Sequence, residues 1–158
     1  MAQLNMPTPP WLPIARAEAG VRTLAPGMSH PRIGLYHRCT TTPWYDDKAS
    51  WCSSFANWVF AQVGITGTGQ ALARSWLAWG EPLSEPRPGC IAVLWRESPE
   101  SWKGHVGFYL RTVDERVYLY GGNQLDSVCE NSYPVECVLG YRWPNAAVKA
   151  GPQHQVSP

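Results

Sequence analysis

The sequence lacks the long apolar run and the one-sided charge of a membrane or nucleic-acid-binding protein. No segment approaches the roughly 20 apolar residues that a membrane-spanning helix needs. Residues 1–13 have neither the basic region nor the apolar core of a Sec signal peptide. Thirteen Lys and Arg against twelve Asp and Glu give a net charge of +1, which suggests no nucleic-acid partner. We therefore expect a monomer that is made in the cytoplasm without a Sec signal and does not insert into membranes.

The cysteines also lack a recognisable pattern. They are odd in number and contain no CxxC pair, so neither a disulfide framework nor a structural zinc site is expected. A disulfide between Cys129 and Cys137 is conceivable, but synthesis in a reducing compartment makes it an exception. We predict no metal and no other cofactor. The five cysteines are Cys39, Cys52, Cys90, Cys129 and Cys137.

The 158 residues, 44% of them hydrophobic, are sufficient for a single packed domain. Proline-rich residues 1–10 are typical of an extended arm and polar residues 145–158 of a flexible tail, which leaves one domain over residues 11–144. Hydrophobic spacing and turn residues predict helices first and strands afterwards, which indicates an α+β fold with N-terminal helices packed on an antiparallel sheet. The predicted helices cover 14–19, 31–39 with Ser29 as cap, 51–62 with Ser50 as cap, and 71–79; the strands cover 90–95, 105–111, 116–121 and 138–143.

Cys52 lies in the first turn of the third predicted helix, directly after a polar loop. Partial positive charge and free N–H groups at a helix start favour a thiolate over a thiol. His105 lies on the second predicted strand, and Gly107 shares its face, which leaves room beside the imidazole for a substrate. The two residues therefore form a candidate nucleophile and base. The alternatives are a buried apolar cysteine and a histidine that is only a polar group at a sheet edge.

A third group is needed to fix the tautomer of the imidazole. It should come from the strand beside His105, and we predict Asn123, because its amide oxygen can accept a hydrogen bond from the ring without adding charge. Gln124 and Asp126 are weaker candidates for this role. Residues 121–123, Gly-Gly-Asn, are also compatible with a plain turn.

These motifs together resemble the papain-like cell-wall hydrolases of the CHAP and NlpC type, and more closely a group of small phage and bacterial proteins among them. The similarity runs over residues 10–144. It depends on the motifs PWLPIA at 10–15, WCSSFANW at 51–58, ARSWL at 73–77, PRPGC at 86–90, GHVGFY at 104–109, GGNQ at 121–124 and LGYRWP at 139–144.

The resemblance implies a papain-like fold and a cysteine amidase or endopeptidase that cleaves peptidoglycan through a thioester. In it Cys52 is the nucleophile and His105 the base. Asn123 occupies the third position, where many CHAP members have Glu. Residues 86–93 resemble the strand that opens the sheet in these folds, with Cys90 in the core. The candidate substrate contacts are Trp44, Tyr45, Trp51, Trp102 and Gln124.

The absence of a signal peptide is compatible with a phage endolysin released through a holin, which we prefer, and with an antibacterial effector that is injected and needs an immunity protein. Two other functions remain open. One is a non-catalytic module that binds the cell wall through its tryptophans. The other is a cysteine hydrolase or deamidase toxin that acts on a different amide.

Overall fold

A computed structural model of the chain describes residues 7–25, 28, 30–41 and 50–149. The helices are α1 (Trp11–Ala17), α2 (Pro31–His37), α3 (Cys52–Ala61) and α4 (Ala146–Lys149), with 3-10 helices at Ala73–Ala78 and Val135–Cys137. The strands are β1 (Glu81–Leu83), β2 (Ile91–Trp95), β3 (Gly104–Val113), β4 (Arg116–Gln124), β5 (Ser127–Pro134) and β6 (Val138–Trp143). None of the described helices has the length and apolarity to cross a bilayer.

The six strands form one sheet in the order β1-β6-β2-β3-β4-β5, in which every neighbouring pair is antiparallel. This confirms the α+β prediction of helices packed on an antiparallel sheet. Two strands were not predicted. β1 has only three residues, and β5 has the largely polar sequence SVCENSYP, so neither shows the apolar alternation that marks a strand. The strand after Gly89 is not at an edge but lies between β6 and β3.

The core lies between the helices and one face of the sheet. Along β3, Val106 and Phe108 pack with the helices, whereas Tyr109 packs on the opposite face with Leu119, as strand alternation predicts. Phe60 of α3 is central, because four aromatic rings have centroids within 6 Å of its own. They belong to Trp11, Trp76, Trp79 and Phe108, and burial of rings of this size contributes on the order of 3 kcal/mol each.

Both ends of the packed domain extend beyond the predicted limits of 11 and 144. Pro9 is buried, and a Cβ on Gly89 would lie 2.3 Å from its ring. At the other end, Val148 packs against the core, and its carbonyl accepts a hydrogen bond from the Thr66 amide at 3.1 Å. The start of the predicted tail is therefore a packed helix. The rest of the predicted arm and tail, residues 1–6 and 150–158, lies outside the described residues.

Two helices differ from their predicted form. α2 is capped by His30, whose Nδ1 accepts from the Arg32 amide at 3.1 Å, while the predicted cap Ser29 lies outside the described residues. Residues 73–78 form a 3-10 helix instead of an α-helix. Its Ser75 hydroxyl donates to Thr68 Oγ1 at 2.9 Å, and its Trp76 indole donates to Ser53 Oγ at 2.8 Å. These tertiary bonds hold a tighter turn than the apolar spacing alone predicts.

Candidate active site

Cys52 is the first residue of α3, as predicted. The helix forms here because Phe55, Ala56 and Val59 share one buried face that packs on the core. The predicted cap Ser50 is wrong: the N-cap residue is Trp51, and its side chain makes no capping hydrogen bond. The Ser50 hydroxyl instead lies 3.8 Å from the Cys52 sulfur. The positive end of the helix therefore acts on the sulfur itself.

The first residues of β3 bring two groups to this sulfur. His105 pairs with Leu94 of β2, and its imidazole interacts with Cys52 through charge and a hydrogen bond. The backbone amide of the next residue, Val106, also donates a hydrogen bond to the sulfur. One short stretch of strand thus supplies both a base and an N–H donor to the thiol.

The two side chains shift each other's pKa in the directions of an ion pair. Burial alone would raise the pKa of the Cys52 thiol, but the charge of His105 and the hydrogen bonds to the sulfur outweigh it and hold the pKa below its ordinary value. Burial alone would lower the pKa of His105, but the charge of Cys52 outweighs it and raises the pKa. The pair is therefore poised to exist as thiolate and imidazolium.

The far side of the imidazole is held by Gln124, the last residue of β4. Its Oε1 lies 2.9 Å from His105 Nε2, and its Nε2 donates to the carbonyls of Leu119 and Cys129 at 3.1 and 2.7 Å. Because two carbonyls must face the amide NH₂, the amide oxygen must face the imidazole. His105 Nε2 therefore carries a proton, and Nδ1 is left to exchange a proton with Cys52.

Two glycines make room for the Gln124 amide. A Cβ on Gly121 would lie 3.0 Å from Gln124 Oε1, and one on Gly107 would lie 3.3 Å from the same atom. Gly107 therefore leaves room beside His105, as predicted. The Gln124 side chain, and not a substrate, occupies that room.

Asn123 is the predicted orienting residue that the structure does not bring to His105. Its side chain lines the neighbouring cleft, and its backbone has a φ of 58°, so it interrupts the regular strand. Asp126 is exposed at the tip of the hairpin that follows and lines the same cleft, while the partners of His105 Nε2 are Gln124 and Tyr133. The contact that fixes the tautomer is made by Gln124, which the sequence had ranked below Asn123.

Gln124 and Trp51, two of the predicted substrate contacts, are instead structural. Gln124 is 1% exposed and fully engaged in hydrogen bonds. Trp51 is 0% exposed, and its indole N–H donates to Thr23 Oγ1 at 3.1 Å. A third predicted contact, Trp102, is 70% exposed three residues before His105 and stays a candidate. The remaining two, Trp44 and Tyr45, lie outside the described residues.

A cleft of about 370 Å³ opens beside His105 on the side of Gln124. Arg96 and Asp126 bring opposite charges to it, and its other polar lining includes Asn123, Asn131 and Tyr133. Cys52 does not line it and is only 1% exposed, whereas His105 is 7% exposed. A substrate can thus approach the imidazole directly, but it reaches the sulfur only after the atoms that cover the sulfur move aside.

Sequence reasoning missed Tyr133 and the Val106 amide. The Tyr133 hydroxyl lies 3.2 Å from His105 Nε2, and the two ring centroids are 5.2 Å apart. Tyr133 belongs to β5, a strand without apolar alternation, so no sequence signal pointed to it. For the tetrahedral intermediate, the polar loop before the helix predicts a second oxyanion donor within residues 45–50, of which only Ser50 is described.

The arrangement is competent for acyl transfer. A thiolate can attack a carbonyl carbon, the imidazolium can protonate a leaving amine, and the Cys52 N–H at the start of the helix can hold an oxyanion. All of these groups are side chains or backbone atoms of this chain.

Comparisons with known proteins identify the fold and the family of this chain. A solved Staphylococcus aureus protein, described as similar to a lipoprotein of the NLP/P60 family, superimposes with a TM-score of 0.51 at 17% identity. The match covers 85% of this chain but 40% of that protein, so the likeness concerns the fold, and this chain spans less than half of that protein's length. A search of curated proteins found no significant match. The sequence matches the CHAP domain family over residues 44–123, half of the chain and a stretch that contains both Cys52 and His105. The chain therefore belongs to the CHAP domain family.

Proposed function

We propose that this chain hydrolyses an amide bond of bacterial peptidoglycan, with Cys52 as nucleophile and His105 as general acid and base. The observation that carries the proposal is the chain of contacts from Gln124 through His105 to Cys52. Contacts of this kind orient an imidazole and ionise a thiol, and a purely wall-binding module has no need of either.

The reaction follows from the atoms involved. His105 Nδ1 takes the Cys52 proton, and the thiolate attacks the carbonyl carbon to give a tetrahedral oxyanion, which the Cys52 N–H stabilises. The C–N bond then breaks as the imidazolium gives its proton to the departing amine, which leaves a thioester. His105 next deprotonates a water molecule, whose attack releases the acid and regenerates the thiol.

The buried sulfur adds a condition. At 1% exposure, Cys52 cannot meet a polymer in the structure as it stands, so an approaching stem must first displace what covers the sulfur. The hydroxyl of Ser50, the residue before the N-cap Trp51, lies 3.8 Å from the sulfur.

Digestion of purified sacculi tests the proposal. The wild-type protein should release soluble muropeptides whose masses identify the amide that is cut, while Cys52→Ala and His105→Ala should release none. If folded, reduced wild-type protein leaves sacculi unchanged but Cys52→Ala still sediments with them, the chain is a wall-binding module. If sacculi stay intact while another amide substrate is hydrolysed, it is a deamidase or hydrolase of a different class.

We further propose that the protein is made in the cytoplasm and acts in the periplasm or cell wall, as an endolysin or as an injected effector with an immunity partner. Expression in a Gram-negative host tests the site of action by comparing the protein in the cytoplasm with the protein exported to the periplasm. Cytoplasmic expression should be tolerated, expression with an added export signal should lyse the cells, and the exported Cys52→Ala protein should not. Equal tolerance of both wild-type forms would contradict this site of action.

A further inference from the structure

Gln124 is not the only group on the far side of the imidazole. The hydroxyl of Tyr133 lies 3.2 Å from the same His105 Nε2 atom that bonds Gln124 at 2.9 Å. The tyrosine ring is tilted by 38° to the imidazole with the centroids 5.2 Å apart, so ring and hydroxyl both contact His105. Tyr133 comes from β5 and Gln124 from β4, so two adjacent strands converge on one nitrogen.

The direction of this hydrogen bond follows from its neighbours. The Gln124 amide is oriented by two carbonyls, so His105 Nε2 is a donor and has no lone pair to offer. The Tyr133 oxygen must therefore accept from Nε2–H. The Asn131 side chain also hydrogen-bonds the phenol, which holds it in place at the edge of the cleft. Burial raises the pKa of Tyr133 above its ordinary value, so the phenol stays neutral beside the imidazole.

We propose that Tyr133 is a positioning residue that shares the Nε2 proton of His105 with Gln124 and thereby stabilises the imidazolium of the Cys52–His105 pair. An acceptor binds an imidazolium N–H more strongly than a neutral one, so the hydroxyl favours the charged form. The proposal concerns the ionisation of the pair and depends on the proposed function only for its use in amide hydrolysis.

The test is Tyr133→Phe, which keeps the ring and removes the hydroxyl. The matched control is Tyr118→Phe on β4, because Tyr118 packs under the Arg111 guanidinium at 4.4 Å and does not contact His105. The readout is the rate of Cys52 alkylation by iodoacetamide from pH 5 to 9, with each variant normalised to its own rate at pH 9. This normalisation removes changes in how easily the reagent reaches the sulfur.

We expect Tyr133→Phe to move the inflection to higher pH and to lower the normalised rate at pH 6 about threefold to tenfold, because a weaker imidazolium supports less thiolate. Tyr118→Phe should match the wild type. In a Cys52→Ala background, Tyr133→Phe should also lower the pKa of His105 measured by NMR, which a role in folding alone would not do. A wild-type alkylation profile, or an unchanged His105 pKa, would overturn the proposal.

The digestion of sacculi is read separately. If Tyr133→Phe does not shift the pH profile of Cys52 alkylation while the wild-type protein digests sacculi, the role of Tyr133 is refuted and the proposed function is intact. If Tyr133→Phe shifts the profile but the wild-type protein digests no sacculi, the role of Tyr133 is supported and the proposed function is refuted.

Discussion

Replacement of Gln124 by leucine probes the link between strand β4 and the active-site pair. Leucine has a similar volume but cannot bond the His105 Nε2 proton or the carbonyls of Leu119 and Cys129. A net contribution of about 1 kcal/mol for each neutral bond and about 1.5–3 kcal/mol for a bond to a charged group gives a loss of roughly 3–5 kcal/mol. For a protein of this size, that lowers the Tm by roughly 6–20 °C.

The same substitution should change ionisation as well as stability. Without the Gln124 acceptor the Nε2 proton keeps only its longer bond to the Tyr133 hydroxyl, at 3.2 Å, and the imidazolium is less stable. The pKa of His105 therefore falls and the pKa of Cys52 rises toward that of an ordinary thiol. Since a lowered thiol pKa makes thiolate available as pH rises through it, the variant should lose alkylation below about pH 7. A charged bond of about 1.5 kcal/mol corresponds to roughly a tenfold loss at pH 6.

Gln62→Leu is the matched control. Gln62 is exposed at the C-terminal end of α3, and its Nε2 donates to the Trp58 carbonyl at 3.0 Å. The substitution therefore removes the same side-chain amide at a place where water can replace its hydrogen bonds. We expect a change within about 0.5 kcal/mol and a wild-type alkylation profile. If Gln124→Leu melts and alkylates like Gln62→Leu, the inference that Gln124 orients the imidazole is wrong.

Three further outcomes are expected. At pH 6.5 iodoacetamide should modify Cys52 before Cys90, whose pKa burial raises to about 12, and peptide mass mapping checks this order; preferential labelling of Cys90 would contradict the ion pair. Gly121→Ala should displace the Gln124 amide and lower the free energy of unfolding by about 1–3 kcal/mol. Gly34→Ala, where a Cβ meets nothing within 4 Å, should be neutral or stabilising by about 0.5–1 kcal/mol. Equal denaturation midpoints for the two variants would contradict the close packing of Gly121 against Gln124. Trp102→Ala should leave the Tm and the alkylation rate unchanged but weaken binding to sacculi about threefold to tenfold, measured by co-sedimentation, and unaltered binding would remove Trp102 from the substrate contacts.

The pair of Cys52 and His105 was predictable because each position depends on local pattern alone. A polar loop followed by apolar residues at four-residue spacing predicts a helix that starts near Cys52, and alternation in β3 predicts which face carries His105. Their meeting in space required the sheet order, which the resemblance to a known fold supplied.

Trp51 shows what local pattern could not decide. A tryptophan at a helix start after a polar loop is compatible with a groove wall or with the core. The outcome depends on β4, where a Cβ on Gly122 would lie 2.9 Å from the Trp51 ring. Helix and strand approach this closely because Gly122 has no side chain, and the approach buries Trp51. That contact joins residues about 70 positions apart and leaves no trace in either segment alone.

The structure places Gln124 instead of the predicted Asn123 beside His105, and the reason lies in the geometry of β4. Tyr109 pairs with Leu119, so strict alternation places Gly121 and then Asn123 on the face of His105. The pairing of β4 with β5, however, passes from Gly121 opposite Cys129 to Gln124 opposite Ser127, which is three residues on one strand against two on the other.

One extra residue in β4 is a β-bulge, and it reverses the alternation for every residue that follows. Asn123 absorbs the bulge with a φ of 58°, a conformation that asparagine tolerates better than most residues. Gln124 is then turned to the His105 face, and its longer side chain spans the gap between Gly107 and Gly121 to reach Nε2. The bulge thus selects a glutamine where a regular strand would present an asparagine, and pattern reasoning that assumes unbroken alternation is in error by one residue at this point.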